Sequence, residues 1–417
     1  MIQAAKLTNG IQVLLEDVPF VRSVAIGVWV DIGSRDESDN LAGVSHFIEH
    51  LMFKGTTKRS AKDIAEALDA VGGQLNAFTT KEYTCYYARV LDEHLLLGID
   101  LLGDMLLNSR FDQTDINRER NVILEEIKMY EDTPDELVHD VFASAIWQSH
   151  SLGRPISGCE ETVQSLSEEQ LTSFFRQYYT PGNIIISASG SFNKDKVLDA
   201  LNNVFGQLSG AKKERHYTLP VPKRQVGCRI KDNEQVHICL GSQGLALDDE
   251  NIYVMQIINT ILGGGLSSRL FQNIREERGL VYSIYSYHSS YHDTGLFCIY
   301  TGLSKHNVRP ALELIIDELY NIQSNGVGSD ELQRAKDQLK GSLLLSLESV
   351  STRMSRLGKS QLYLDKIVLP DEVLSRVMRV SETDIKNLAQ EILMPDKFCL
   401  ASVGPWENTN ILNEIVK

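Results

Sequence analysis

The N-terminal half of the chain contains two kinds of hydrophobic pattern, one typical of strands and one typical of helices. Short apolar, β-branched runs typical of buried strands lie at 12–15, 24–30, 74–79, 83–90 and 184–190. Helical patterns lie at 41–53, 60–71, over most of 94–147, and at 167–179. Ser60 is a candidate N-cap, and Gly72 is placed to end that helix. The pattern therefore predicts a fold that mixes strands and helices.

The second half of the chain repeats landmarks of the first. Three pairs are offset by 214 residues: Ser167 and Ser381 before a helix, Pro181 and Pro395 after it, and Gly190 and Gly404 at the end of a strand. A strand pattern at 236–240 follows 24–28 at an offset of 212 residues. A recurring offset indicates a duplicated fold. We expect an N-terminal domain over 1–211, a charged, proline-bearing linker over 212–225, and a homologous C-terminal domain over 226–417.

Composition narrows the class of protein. The 417 residues are 42% hydrophobic and 23% charged, as in ordinary globular proteins, and their formal net charge is −15. This charge argues against nucleic acid as a partner and favours cationic substrates. The first residues lack the apolar core of a secretory signal, and no apolar run reaches the ~18 residues of a membrane span. Six scattered cysteines without a C-x-x-C pair indicate reduced thiols, so we expect a cytoplasmic protein without a membrane partner.

Candidate chemistry begins with an H-x-x-E-H motif in the helix predicted at 41–53. His46, Glu49 and His50 stand at i, i+3 and i+4, so their side chains leave one face of the helix. Two imidazoles one turn apart can bind Zn²⁺, and the carboxylate before the second histidine is placed to accept a proton from a metal-activated water. A chance match is expected in about one per cent of sequences of this composition. The motif is the inverted form of the H-E-x-x-H zinc-protease motif.

The duplication indicates that these histidines have a role other than packing. The corresponding helix of the second half, at 251–262, contains neither histidine nor glutamate.

A zinc enzyme also needs a third protein ligand. Glu119 and Glu126 are seven residues apart and share a face of a predicted helix, so one of them could bind the metal while the other orients a histidine.

These motifs resemble those of the pitrilysin, or M16, zinc peptidases, in the two-domain branch that includes bacterial processing proteases and the mitochondrial processing peptidase β-subunit. The resemblance covers about residues 8–403. It implies an α+β fold of two homologous domains, each a mostly antiparallel sheet packed with helices. It also implies that His46, His50 and Glu126 bind zinc, that Glu49 is the general base, and that Glu119 holds a histidine ring. Glu125 is the one competitor for the third ligand, and the seven-residue spacing argues against it.

The resemblance extends to substrate contacts. Asn76, Ala77 and Phe78 are similar to an edge strand on which the family binds extended peptides by β-addition, although a plain core strand would look the same. Arg275 and Tyr282 match a pair that contacts the peptide backbone and the developing oxyanion. Apart from the family, a surface salt bridge is the default interpretation of that arginine. The glycines at 263–265 resemble the glycine-rich loop of a non-catalytic α-subunit, or equally a flexible helix terminus.

The expected function is zinc-dependent cleavage of short or unfolded peptides, of the processing-protease type. Chains of this length resemble half of the four-domain peptidases, which implies a homodimer whose active site is completed in trans. Two alternatives remain: a non-proteolytic assembly subunit of the same fold, as in the respiratory bc1 complex, and a different zinc hydrolase on the same scaffold.

Overall fold

The computed structural model describes residues 2–213, 215, 217–406 and 412. Its strands are β1 (Ile2–Lys6), β2 (Gln12–Asp17), β3 (Ser23–Val30), β4 (Gln74–Thr79), β5 (Thr84–Leu91), β6 (Ile184–Gly190), β7 (Val226–Ile230), β8 (Val236–Gly244), β9 (Val281–Ser290), β10 (Gly295–Leu303) and β11 (Cys399–Gly404).

Helices fill most of the intervals between these strands. They are α1 (Val44–Leu51), α2 (Ala61–Asp69), α3 (Leu95–Asn108), α4 (Gln113–Glu131), α5 (Pro134–Ile146), α6 (Glu160–Ser165), α7 (Glu168–Tyr178), α8 (Lys194–Phe205), α9 (Ile252–Gly263), α10 (Val308–Asn325), α11 (Ser329–Ser346), α12 (Val350–Leu364), α13 (Pro370–Arg379) and α14 (Glu382–Ile392). A π-helical turn spans Phe271–Glu276.

The chain forms two compact units. Unit 1 comprises Met1–Ile127, Arg154–Tyr217 and Ser346–Val368, and unit 2 comprises Lys128–Gly153, Thr218–Leu345 and Leu369–Lys417. The units therefore differ from the contiguous division predicted at 1–211, 212–225 and 226–417, because two internal segments fold with the sheet of the other half.

Each unit is built on one sheet, and the two sheets share a topology. The sheet of unit 1 has the order β1-β2-β6-β3-β5-β4, and that of unit 2 has the order β7-β11-β8-β10-β9. In each sheet the described residues form one parallel pair, β2 with β6 and β7 with β11, and the other pairs are antiparallel. Since β7, β11, β8, β10 and β9 repeat the order of β2, β6, β3, β5 and β4, the predicted α+β duplication is confirmed.

The exchanged segments carry one helix each. In unit 1, α12 packs on β3 and β6, where the backbone of Gly358 lies so close to the Trp29 ring that a Cβ would overlap it. Ser187 Oγ, on β6, connects β3 with α12, because it accepts from Trp29 Nε1 at 2.8 Å and donates to the Met354 carbonyl at 2.9 Å. In unit 2, α5 packs on β8 and β11, and Phe142 is buried there.

Local sequence signals explain the ends of several elements. Ser60 accepts a hydrogen bond from the Asp63 backbone, Ser167 from Gln170, and Ser381 from Asp384, each at 3.2 Å, and each is the N-cap of the helix that follows. Helix α1 is shorter than the predicted 41–53. It begins after Gly43, whose φ of 92° is a left-handed conformation that favours glycine, and a turn follows it at Met52.

Two features bear on the expected environment of the chain. Across the described ranges, no helix combines the length and the apolar character that crossing a bilayer requires. The six cysteines are free thiols, of which Cys85, Cys239, Cys298 and Cys399 are buried within strands. Cys159 differs from them because it is exposed before α6.

Candidate metal centre

Helix α1 presents two imidazoles on the face opposite its apolar side. Phe47, Ile48 and Leu51 are fully buried in the core of unit 1 and fix the orientation of the helix. The other face carries His46 and His50, whose ring centroids are 4.7 Å apart. Their side chains are 12% and 22% exposed, so both rings are accessible from one side.

The third member of the cluster comes from α4. Glu126 Oε2 lies 3.8 Å from His46 Nε2 and 3.6 Å from His50 Nε2. One ligand atom from each of these three residues lies within 4.8 Å of the others. Glu125, the competitor considered from the sequence, is exposed. The structure therefore brings together His46, His50 and Glu126.

This cluster fits the requirements of zinc. Ligand atoms bound tetrahedrally at about 2.1 Å would lie about 3.4 Å apart, close to the separations observed here. Burial, and next the charge of His50, lower the pKa of His46 to about 4. At neutral pH the His46 ring is therefore uncharged and has a lone pair to offer a metal. Three protein ligands of this kind, with a fourth position left for substrate or water, are typical of catalytic zinc sites.

Glu119 lies beside the cluster, seven residues and about two helical turns before Glu126 on α4. Its side chain is 2% exposed, and Oε2 is 3.3 Å from His50 Nδ1. Its other oxygen, Oε1, is 2.9 Å from Lys54 Nζ. Contact with Nδ1 directs His50 Nε2 toward Glu126, which is the arrangement of an outer carboxylate that orients a metal-binding histidine.

Glu49 faces a hydroxyl at the end of β4. Thr79 Oγ1 donates to Glu49 Oε2 at 2.5 Å. Burial raises the pKa of the Glu49 carboxyl, and the hydrogen bond from Thr79 opposes that effect. A carboxylate in such an environment is suited to accept and return a proton.

A buried carboxylate that the sequence did not reveal holds the start of α1. Glu37 Oε2 accepts from the Gly43 backbone N–H at 2.7 Å, and Oε1 accepts from the Ser45 N–H at 2.8 Å. Burial raises the pKa of Glu37 to about 7, although both hydrogen bonds act against this. The only signal in the sequence is indirect: glycine stands where α1 needs a cap, so another residue must bind its first N–H groups.

The candidate substrate strand, β4, lies at the edge of its sheet and pairs with β5. Asn76 is exposed, and its Oδ1 accepts from the Ala77 N–H at 2.8 Å. Phe78 instead packs edge-on against Trp29 and Tyr83, with ring centroids 6.1 and 6.0 Å away. The strand therefore combines an edge position with a packing role for Phe78.

Arg275 and Tyr282 belong to unit 2. The Arg275 guanidinium lies over the Phe271 ring, 4.7 Å from its centroid. Tyr282, on β9, is 58% exposed, and its hydroxyl is 3.2 Å from Ser304 Oγ. Gly263 ends α9 where the backbone of Ser286 leaves no space for a Cβ, so close packing accounts for that glycine.

The two units share one topology, and an H-x-x-E-H helix places its two histidines next to Glu126 of α4. This combination is the arrangement that inverzincins use to hold a metal. Comparison with known proteins makes this more specific. Residues 12–160 match the model of the insulinase family, peptidase family M16, and residues 165–339 match the model of the peptidase M16 inactive domain. A Bacillus subtilis protein named uncharacterized zinc protease YmxG is 44% identical over 408 residues, covering 98% of this chain and 99% of that protein. The chain belongs to peptidase family M16.

Other relatives agree with this assignment. An uncharacterized zinc protease of Streptomyces coelicolor is 43% identical over 417 residues, covering 98% of this chain and 90% of that protein. A solved peptidase M16 inactive domain from Pseudomonas fluorescens has a TM-score of 0.91 at 21% identity, over 97% of this chain and 98% of that one. A chain of complex III2 from Candida albicans has a TM-score of 0.86 at 19% identity, over the full length of both. The names of the sequence relatives indicate a protease role, and the structural matches establish the fold.

Proposed function

We propose that this chain is a zinc-dependent endopeptidase that cleaves short or unfolded peptides. The observation that carries the proposal is the cluster of His46, His50 and Glu126 next to Glu49, which lies on the same helix as the two histidines and interacts electrostatically with His50 and Glu126. Zinc held by the first three residues would polarise the peptide carbonyl and lower the pKa of a water molecule. Glu49 would accept the proton of the attacking water and deliver it to the departing amine.

The substrate class follows from strand β4. A free sheet edge binds an extended peptide through backbone hydrogen bonds, which recognise almost any sequence. Asn76, Ala77 and Phe78 would line the bound peptide, and a folded protein could not offer an extended segment of this kind. The net charge of −15 favours peptides with basic residues. A cytoplasmic location belongs to the same proposal, because free buried thiols such as Cys239 are typical of a reducing compartment.

The main alternative is an assembly subunit without activity, because a complex III2 chain has the same fold. That likeness concerns the fold alone. A subunit without catalytic activity would have no need of two histidines, a third ligand and a carboxylate base in one place. The complete set therefore favours the peptidase.

Metal analysis and a quenched-fluorescence peptide assay on the full chain test the proposal. We expect about one equivalent of zinc per chain and hydrolysis that is lost on chelation. Glu49→Gln removes the base and leaves the ligands, so it should keep zinc and lose at least about 100-fold in kcat. Zinc binding without peptide hydrolysis would contradict the proposal and favour the assembly subunit. Hydrolysis of small esters or amides but not of peptides would point to another zinc hydrolase.

A further inference from the structure

Thr79 connects the proposed base to the strand that would hold the peptide. It is the last residue of β4, and its hydroxyl donates to Glu49 Oε2 at 2.5 Å. Glu49 lies on α1, so this hydrogen bond joins the helix of the metal cluster to the edge strand. A hydroxyl donor orients a carboxylate and leaves its negative charge in place, which a base requires.

The Thr79 side chain is itself held in position. Thr79 stands directly opposite Thr84 in the register of β4 and β5. Thr84 is fully buried, and its Oγ1 lies 3.4 Å from Thr79 Oγ1 and 3.1 Å from the Ile32 carbonyl. Because the Thr79 proton is given to Glu49, Thr79 Oγ1 can act only as an acceptor toward Thr84, and the one Thr84 proton goes either to Thr79 Oγ1 or to the nearer Ile32 carbonyl. The fully buried Thr84 therefore holds Thr79 from the paired strand by packing beside it.

We propose that Thr79 is a positioning residue for Glu49, which fixes the carboxylate relative to a peptide bound on β4. This inference rests on the proposed peptidase function. A peptide paired with β4 takes its register from the backbone of that strand. Because Thr79 is part of the same strand, the distance between the scissile bond and the base is set by a single hydrogen bond from one rigid element. Positioning of this kind lowers the barrier of the chemical step and leaves peptide affinity unchanged.

A structural role is the competing explanation, since a pair of threonines directly opposite each other also stabilises a hairpin. The two explanations differ in what valine and serine do at position 79. Valine keeps the branched shape of threonine and removes the hydroxyl, whereas serine keeps the hydroxyl and removes a methyl group. A hairpin role would be preserved better by valine, and a positioning role better by serine.

The test compares Thr79→Val and Thr79→Ser in the full zinc-loaded chain. Thr301→Val is the matched control, because Thr301 is a buried strand threonine of unit 2 that donates to the Ser283 carbonyl. We expect Thr79→Val to lower kcat by about 10- to 100-fold, with KM and zinc affinity within about twofold of wild type. Thr79→Ser and Thr301→Val should retain most of the wild-type kcat. A Thr79→Val enzyme with wild-type kcat, or equal losses in the valine and serine variants, would overturn the inference.

A readout without activity separates this inference from the proposed function. Crystal structures of the metal-free variants should show the Glu49 carboxylate displaced in Thr79→Val and unmoved in Thr79→Ser. An unmoved carboxylate in Thr79→Val would overturn the positioning role. A wild-type chain that binds zinc and cleaves no peptide would instead overturn the proposed function, and the position of Glu49 would still decide whether Thr79 holds it.

Discussion

Lys54 and Glu119 form an ion pair beside the metal cluster, with 2.9 Å between Lys54 Nζ and Glu119 Oε1. The second oxygen of the same carboxylate faces His50 Nδ1 at 3.3 Å. Since the Glu119 side chain is 2% exposed, Lys54 supplies the positive charge that this buried carboxylate needs. The lysine thereby acts on His50 through Glu119.

Removing this charge should weaken metal binding. We expect Lys54→Met to lower zinc affinity by about tenfold, the lower end of the effect of outer partners of a metal site. Competition with a fluorescent chelator measures the change. Lys58→Met is the control, because Lys58 lies on the same loop with 64% of its side chain exposed, 4.0 Å from Asp104. Equal zinc affinities of Lys54→Met and wild type would show that Lys54 does not contribute to metal binding.

The choice between neighbouring glutamates on α4 is testable in the same way. Glu126→Gln alters the carboxylate whose oxygen lies 3.6 Å from His50 Nε2. It should reduce zinc affinity by more than about 100-fold, which is the upper end of the effect of residues that only contact a metal ligand. Glu125→Gln changes an exposed side chain and should leave affinity within about twofold. Loss of zinc from the Glu125 variant alone would mean that the third ligand has been assigned to the wrong glutamate.

Glu37 should make stability depend on pH. Its pKa is about 7 in the folded chain, against 4.5 for the ordinary group, so between these values the folded state binds more protons than the unfolded state. The stability from this group is therefore fully present below about pH 4.5 and is lost as pH rises through about 7. Glu37→Gln keeps an acceptor for α1 and removes the titration.

The measurement is unfolding of wild type and Glu37→Gln in chelator at pH 5 and pH 8. We expect the variant to gain on the order of 2 kcal/mol relative to wild type between these pH values, following the proton linkage. A difference that is the same at both pH values would show that Glu37 does not titrate between them.

Much of the candidate site could be predicted because it depends on local periodicity. The i, i+4 spacing of His46 and His50, and the seven-residue spacing of Glu119 and Glu126, put side chains on one face of a helix whatever that helix packs against. The duplication could also be predicted from the sequence, since helix N-caps such as Ser167 and Ser381 recur at a fixed offset.

The remaining features depend on contacts that spacing does not encode. Apolar faces show that α5 and α12 are buried but not which sheet buries them, so the exchange of helices between halves was not predicted. Thr79 and Lys54 acquire their roles from partners 30 and 65 residues away, Glu49 and Glu119. A threonine or lysine at such a separation carries no signal in a single sequence.

Assembly gives the last prediction. The metal cluster lies in unit 1, and Arg275 and Tyr282 lie in unit 2. If two chains pair as a homodimer, Arg275 and Tyr282 of the partner subunit can complete each zinc site in trans. Tyr282 is 58% exposed, which leaves its hydroxyl accessible to a peptide.

Complementation between two inactive variants distinguishes action in trans from action in cis. Glu49→Gln and Arg275→Ala homodimers should each be nearly inactive, because every site lacks either its base or its arginine. In a mixed dimer acting in trans, the zinc cluster of the Arg275→Ala chain meets the Arg275 of the Glu49→Gln chain, so one site has every part. Subunit exchange should therefore restore up to about half of the activity of a wild-type dimer in each heterodimer, if the two sites are independent. Differently tagged subunits allow heterodimers to be isolated before assay. Verified heterodimers that stay inactive would mean that Arg275 acts in cis or has no part in catalysis, and a chain that remains monomeric during turnover would exclude the trans arrangement altogether.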